Sequence, residues 1–206
     1  MTEVVDTWRG SFGDEYIERN MVTPERLRGR VQMWTRILTC FGEDCPRSAA
    51  ELGCNVGINL RAIKQISDMT LYGVEPNQRA RQTIVKDGVL PEDRILEGQG
   101  VAIPLESGAV DLAFTSGVLI HVDPKQLGAV ADELHRISRK YIVLAEYFSV
   151  EPEERVYRGQ TGLLFKRDFG GFFLDRFPDL TLVDYGFFWR RATGLDDLTW
   201  WALRKK

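Results

Sequence analysis

The sequence is short of the residues that would announce a chemistry by themselves. Its 206 residues include only two histidines and three cysteines. Cys40 and Cys45 are five apart, Cys54 stands alone, and two histidines cannot complete a zinc-type spacing, so no metal is expected. The odd, sparse cysteine count suits a reducing compartment better than a disulfide framework. No run approaches the roughly 20 apolar residues of a membrane helix. The acidic opening "MTEVVDTWRGSFGDEY" also lacks an apolar signal core, which points to a cytoplasmic location without membrane contact. A basic excess is missing too. A net charge of −3 and a sequence pI near 5.5 weigh against nucleic acid as a partner. Without repeats or low-complexity linkers, the chain reads as one domain over 41–206, preceded by a helical extension over 1–40.

What is present is a chain able to build a full core, with 44% hydrophobic and 28% charged residues. In "TPERLRGRVQMWTRIL", Thr23 is placed as N-cap and Pro24 at the first helical position. Leu27, Val31, Trp34 and Leu38 then share one face. After "GEDCPR" short apolar runs alternate with amphipathic ones: "SAAELG" and "INLRAIKQI", "TLYGVE" and "NQRARQTIVKDG", then "RILEG", "VDLAFTS", "PKQLGAVADELHRI" and "KYIVLAEYF". That rhythm predicts an α/β fold, a mostly parallel sheet with helices on both faces. The runs "LTLVDYGFFW" and "LTWWALRK", separated by "RRATGLDD", predict a closing antiparallel hairpin.

Ligands of open parallel sheets bind beyond the carboxyl ends of the strands. Gly53 and Gly57 in "ELGCNVGINL" would allow a tight turn that presents amide groups beside a helix N-terminus. A dinucleotide fingerprint would need glycines at 53, 55 and 58, where the chain has Gly53, Asn55 and Ile58. Glu75 ends the second strand, 22 residues after Gly53, where a carboxylate can accept from both hydroxyls of a ribose. Asn77 follows as a helix N-cap. Gly98, Gln99 and Gly100 form a loop suited to flanking an adenine, and "LAFTS" runs out at Ser116 and Gly117 near the same sheet edge.

With "FGDEYIERN", "ELGCNVGINL", "GVEPN", "FTSGVLIHVDP", "YRGQTGLLFKRDFG" and "VDYGFFW…TWW", the chain resembles class I S-adenosylmethionine-dependent methyltransferases from about Trp8 to Trp201. Within them it is similar to methylases associated with pseudaminic acid and surface-sugar biosynthesis. The resemblance implies a Rossmann-like doubly wound sheet of about seven strands, with a helical lid ahead of it. Many class I enzymes carry a third glycine where this chain has Asn55.

S-adenosylmethionine is the cofactor so implied. Gly53, Asn55 and Gly57 would hold its methionine end, Glu75 its ribose, Gln99 and Gly100 its adenine, with Ser116 and Gly117 below the approaching acceptor. The reaction would be in-line displacement at the sulfonium methyl, promoted chiefly by positioning. His121, Tyr16 and Tyr147 are the candidate catalytic side chains. A neutral His121 could take a hydroxyl proton, but the preferred reading is a histidine that bonds its loop and shapes the pocket. His135 is placed on a solvated helix face without chemistry, and Cys54 is a packing residue rather than a nucleophile.

Two segments are expected to bind the acceptor. "WRGSFGDEYIERN" would act as a lid, with Arg19 among its contacts. The long segment after the fifth strand offers Tyr157, Arg158, Lys166, Arg167 and Asp168 for an acidic or polyhydroxylated acceptor. The phenylalanines of "GGFFLDRF" and the Trp200–Trp201 pair are assigned to packing. The expected activity is methylation of an oxygen or nitrogen on a small polar metabolite, a sugar or nucleotide-sugar by resemblance. Cyclisation or cleavage of the cofactor, and a non-catalytic cofactor-binding subunit, are the alternatives.

Overall fold

The computed structural model describes residues 8–206; the first seven residues of the expected N-terminal extension lie outside them. Two helices lead: α1 (Ser11–Arg19) and α2 (Pro24–Thr39). Thr23 caps α2 as its sequence predicts, its side chain accepting from the Arg26 N–H. Then follow β1 (Ser48–Leu52), α3 (Ile58–Ile66), β2 (Thr70–Val74), α4 (Gln78–Lys86), β3 (Ile95–Leu96), β4 (Val110–Ser116), α5 (Leu127–Ile137) and β5 (Ser138–Glu146). The long segment after β5 holds a small pair, β6 (Glu153–Glu154) and β7 (Phe165–Lys166), and α6 (Phe169–Arg176). The chain closes with β8 (Leu180–Phe188), a short α7 (Arg190–Thr193) and β9 (Leu198–Lys205).

The main sheet has seven strands in the order β3-β2-β1-β4-β5-β9-β8. The first five are parallel; β9 lies antiparallel between β5 and β8, so the expected hairpin closes one edge. Strand order reverses between β1 and β4, and the crevice at their carboxyl ends is the place where such sheets bind ligands.

Alternation along the strands builds two apolar layers. Ala49, Leu112, Phe114, Tyr141, Val143 and Trp200 meet Met33, Trp34 and Ile37 of α2 and Leu60 and Ile63 of α3. On the other face Ala50, Ala113, Ile142, Leu144 and Trp201 meet Leu127, Val130 and Leu134 of α5 and Phe169 and Phe173 of α6. Trp200 and Trp201, adjacent on β9, therefore serve opposite layers, as the period of two in a strand requires. At Gly170 a Cβ would overlap the Trp201 indole, so the glycine lets α6 sit directly on the sheet. Helix α2 is likewise part of the main core, because Met33, Trp34 and Ile37 are fully buried.

Candidate cofactor and acceptor site

The turn after β1 explains why asparagine stands where a glycine is common. Gly53, Asn55 and Gly57 all take left-handed backbone, with φ of +70°, +47° and +75°. Among non-glycine residues, asparagine is one of the few that visits this region readily. Four N–H groups of this turn are used within the chain. The Gly53 and Cys54 N–H groups donate to the Val74 carbonyl at 2.8 and 3.3 Å, and the Gly57 N–H donates to the Cys54 carbonyl at 2.8 Å. The Asn55 N–H donates to Glu75 Oε2 at 2.8 Å. Three left-handed residues curl the chain back on itself, so these donors are used internally and the turn offers close approach instead. At Gly53 a Cβ would come within 2.7 Å of Val118. Gly57 caps α3 against Ile84 and Val89 and does not reach the cavity wall.

That wall encloses about 400 Å³ over the β1/β4 crevice. Of the sequence-predicted residues it brings together Tyr16, Gly53, Asn55, Glu75, Gln99, Gly100, Ser116, Gly117 and His121. Glu75 is buried; its Oε1 accepts from the Asn77 N–H at 2.9 Å, and burial raises its pKa against those hydrogen bonds. Asn77 does more than the N-cap its sequence predicts. Its Oδ1 accepts from the Ala80 N–H at 3.0 Å, while its Nδ2 donates to Asp14 Oδ1 at 3.0 Å and to the Trp8 carbonyl at 3.3 Å. The amide thus fastens α1 over the tip of β2.

Three wall residues escaped the sequence reading. Glu51, in the apolar run of β1, is 1% exposed. Its Oε1 accepts from Asn59 Nδ2 at 2.6 Å, Asn59 Oδ1 accepts from Trp34 Nε1 at 3.1 Å, and Glu51 Oε2 has no partner among the described residues. Burial pushes the Glu51 pKa up to about 8. Arg30 donates through one guanidinium nitrogen to Ser116 Oγ at 2.9 Å and is held among Glu51, Asp196, Tyr16 and Tyr147, with burial lowering its pKa. The signal was a charge on an apolar face, Arg30 lying one turn ahead of the buried Trp34. Asp196, from the β8–β9 connection, accepts from the Tyr147 hydroxyl at 2.8 Å. Tyr147 itself is off the wall, and burial together with Asp196 raises its pKa.

His121 Nδ1 lies 2.6 Å from the Leu163 carbonyl, which can only accept, so Nδ1 carries the proton. Burial lowers the imidazole pKa below 6.5 and favours the neutral ring, leaving Nε2 with a lone pair. Its ring packs 5.0 Å from Trp8 and 5.1 Å from Tyr157, joining the N-terminal segment, the post-β4 turn and the post-β5 segment. Tyr16 stands edge-on to Trp8 at 5.2 Å, and burial raises its pKa to about 12.

The structure does not bring the expected acceptor cations or Tyr157 onto the wall. Arg19 pairs with Glu15 and lies over the Phe12 and Tyr16 rings. Arg158 lies over Tyr157, Lys166 over Tyr147, and Arg167 over Phe172 at 4.4 Å. Flat aromatic faces hold these long side chains in place. Asp168 caps α6 through the Gly171 N–H. The cations on the wall are Arg26, Arg30 and Arg190. His135 is more engaged than a solvated histidine: Nε2 lies 2.9 Å from Asp179 and its ring stacks on Phe177 at 4.2 Å. Cys54 is buried, and its thiol pKa is pushed well above the ordinary value, as a packing residue requires.

Residues 50–143 match the family model described as a methyltransferase domain. Similar folds include the Burkholderia thailandensis 1,6-didemethyltoxoflavin-N1-methyltransferase, solved with its substrate and S-adenosylhomocysteine. It is 18% identical, with a TM-score of 0.73, covering 99% of this chain and 89% of that one. The magnesium protoporphyrin IX methyltransferase of Synechocystis PCC 6803, solved with S-adenosylmethionine, is 11% identical with a TM-score of 0.68, covering 98% and 95%. A Leishmania major S-adenosylmethionine-dependent methyltransferase is 14% identical with a TM-score of 0.73, covering 98% and 87%. No curated protein matches the chain by sequence. The family match spans a little under half of the chain, and together with the seven-stranded sheet it likens the chain to these methyltransferases.

Proposed function

We infer that the cavity seats S-adenosylmethionine with its ribose on Glu75, its adenine beside Gly98–Val101, and its methionine end between Glu51 and Arg30. The observation that carries this reading is the buried Glu51 Oε2, which has no partner among the described residues, on the same wall as the half-buried Arg30 guanidinium, bonded through one nitrogen to Ser116. A lone buried carboxylate oxygen is costly. An amino acid zwitterion supplies both complements, its ammonium to Glu51 Oε2 and its carboxylate to the Arg30 fork.

The acceptor then enters between Ser116, Gly117, His121 and the α1 segment, which we read as a lid over Trp8–Asn20. An oxygen or nitrogen lone pair of the acceptor forms the new bond to the methyl carbon as the carbon–sulfur bond breaks, and the electron pair leaves with sulfur. Positioning carries most of the rate, about 7–11 kcal/mol when the near-attack geometry is held. The His121 Nε2 lone pair is one receiver for the acceptor proton, and the Asp196 carboxylate oriented by Tyr147 is another. Tyr16 closes the wall from the lid. The sugar or nucleotide-sugar acceptor rests on resemblance alone, and the known neighbours methylate chemically unlike compounds.

The test is calorimetric titration with S-adenosylmethionine and S-adenosylhomocysteine, beside NAD, using Glu75→Ala as control. Binding of both adenosyl ligands, lost in the variant, supports the assignment. Binding of NAD alone, or of none of the three by a folded sample, overturns it. An acceptor screen then starts from amino and acidic sugars and moves to heteroaromatic compounds.

A further inference from the structure

We propose that this chain pairs with a second copy of itself through β8, the outer strand of the sheet. Among the described residues no strand pairs with its outer edge, where the Tyr185 N–H donates to Asp184 Oδ1 at 2.9 Å, and one face carries an apolar stripe. Its register with β9 sets Tyr185 opposite Trp201 and Phe187 opposite Thr199, so both side chains lie on the layer that Trp201 covers. There Tyr185 is 63% exposed and Phe187 59%; Trp189, just beyond the strand, is 52% exposed, and Phe148, against Trp201, is 44% exposed. Monomeric proteins seldom leave such an arrangement bare, because an open, apolar edge strand is a template for pairing. Two of the usual guards are missing: from Leu180 to Phe188 there is no proline and no lysine. The single charge, Asp184, lies on the opposite face and is tied to Arg36 at 3.3 Å. One irregularity, between Leu182 and Asp184, leaves the stretch from Asp184 onward regular.

Self-pairing is what this stretch fits. In an antiparallel pair, directly opposite residues project to the same face, so a two-fold axis normal to the sheet must pass through one residue. An axis at Gly186 sets Tyr185 of each copy opposite Phe187 of the other. Both are on the bare face, and such aromatic cross-strand pairs are stabilising. Gly186 has no side chain to obstruct the axis, and its own Cβ position is occupied by the Trp200 indole. At about 150–250 Å² per aromatic side chain, the exposed fractions of Tyr185 and Phe187 leave roughly 250 Å² of apolar surface per copy beside the axis. The strand backbones and the loops that flank β8 supply the remainder of the roughly 1,000 Å² that specific interfaces need. The interface would also rest on the end of β8 that leads into Arg190, Leu195 and Asp196, so the second copy would steady that wall of the cavity.

Sedimentation equilibrium of the full chain over about 5–200 μM tests the proposal, with Tyr185→Lys/Phe187→Glu as the disrupting double variant. Both side chains are exposed, so the circular dichroism spectrum should match the parent's, and the variant should melt cooperatively at a temperature that does not depend on its concentration. A dimer in the parent and a monomer in the variant is the expected result. Hydrogen exchange gives a second reading, with β8 amides slowing at least tenfold as the parent is concentrated. A parent that stays monomeric throughout, or a dimer that the double variant leaves intact, overturns the assignment. Neither readout depends on cofactor or acceptor.

Discussion

Glu75 Oε2 accepts a hydrogen bond from the Asn55 backbone N–H at 2.8 Å, while Oε1 accepts from the Asn77 N–H. The carboxylate at the tip of β2 therefore has two duties. It props the left-handed residue of the first turn and starts the helix that follows, and its remaining lone pairs are the ones the proposed ribose contact would use.

Replacing Glu75 by Gln separates these duties. A glutamine amide has one oxygen, so one of the two backbone N–H groups loses its acceptor in a buried setting. The expected cost is about 1–3 kcal/mol of stability, with cofactor affinity falling at least tenfold. Thermal melts and calorimetry read the two effects independently, and an unchanged melting point would show that Glu75 does not hold the turn.

Glu51→Gln should act in opposite directions on stability and on binding. A carboxyl group raised to about 8 when folded contributes fully below about pH 4.5, and its contribution is lost as the pH climbs to about 8. Glutamine removes that pH-dependent loss and places an uncharged group at the unpartnered Oε2 position. The ligand-free variant should melt higher at pH 8, by at least about 1 kcal/mol, or 2–4 °C for a chain of this size. Cofactor binding should weaken, since the ammonium loses its counter-charge. In the parent, affinity should rise from pH 6 toward 8 with proton release; calorimetry in buffers of different ionisation enthalpy measures this, and the variant should lack it.

Asn55 offers a test of local backbone geometry. At φ +47° glycine is fully tolerated, whereas a β-branched side chain is strained by about 1–2 kcal/mol. Asn55→Gly should leave the denaturation midpoint nearly unchanged and Asn55→Val should lower it. Equal effects from both would mean the side chain, not the backbone, decides the position.

His121 should remain neutral with its proton on Nδ1. Burial lowers its pKa, and the Leu163 carbonyl fixes the tautomer. Nitrogen-detected imidazole spectra at pH 6.5 should show predominantly the Nδ1–H form. A ring more than half protonated at that pH would contradict both the packing and the role of Nε2 as proton receiver.

The architecture was legible because it follows from local rules. Period-two apolar runs, period-3.6 faces and the caps Thr23 and Asn77 depend on neighbours only a few residues away, and each is where the sequence puts it. The glycines and the asparagine of the first turn, the acidic tip of β2 and the loop at Gly98–Gly100 were also readable, since strand ends are marked in sequence. Only the tertiary structure decided which charges meet. Arg30 comes from α2, Glu51 from β1, and Asp196 from a connection about 150 residues further on. Nothing in their spacing pairs them, because their proximity depends on how β9 inserts beside β5. The same limit applies to the expected acceptor cations. Arg158, Lys166 and Arg167 look like binding residues in a charged loop, and in the structure each lies over an aromatic ring, away from the cavity wall. A sequence records that a charge is present; whether it faces a ligand or a neighbouring ring is settled by packing.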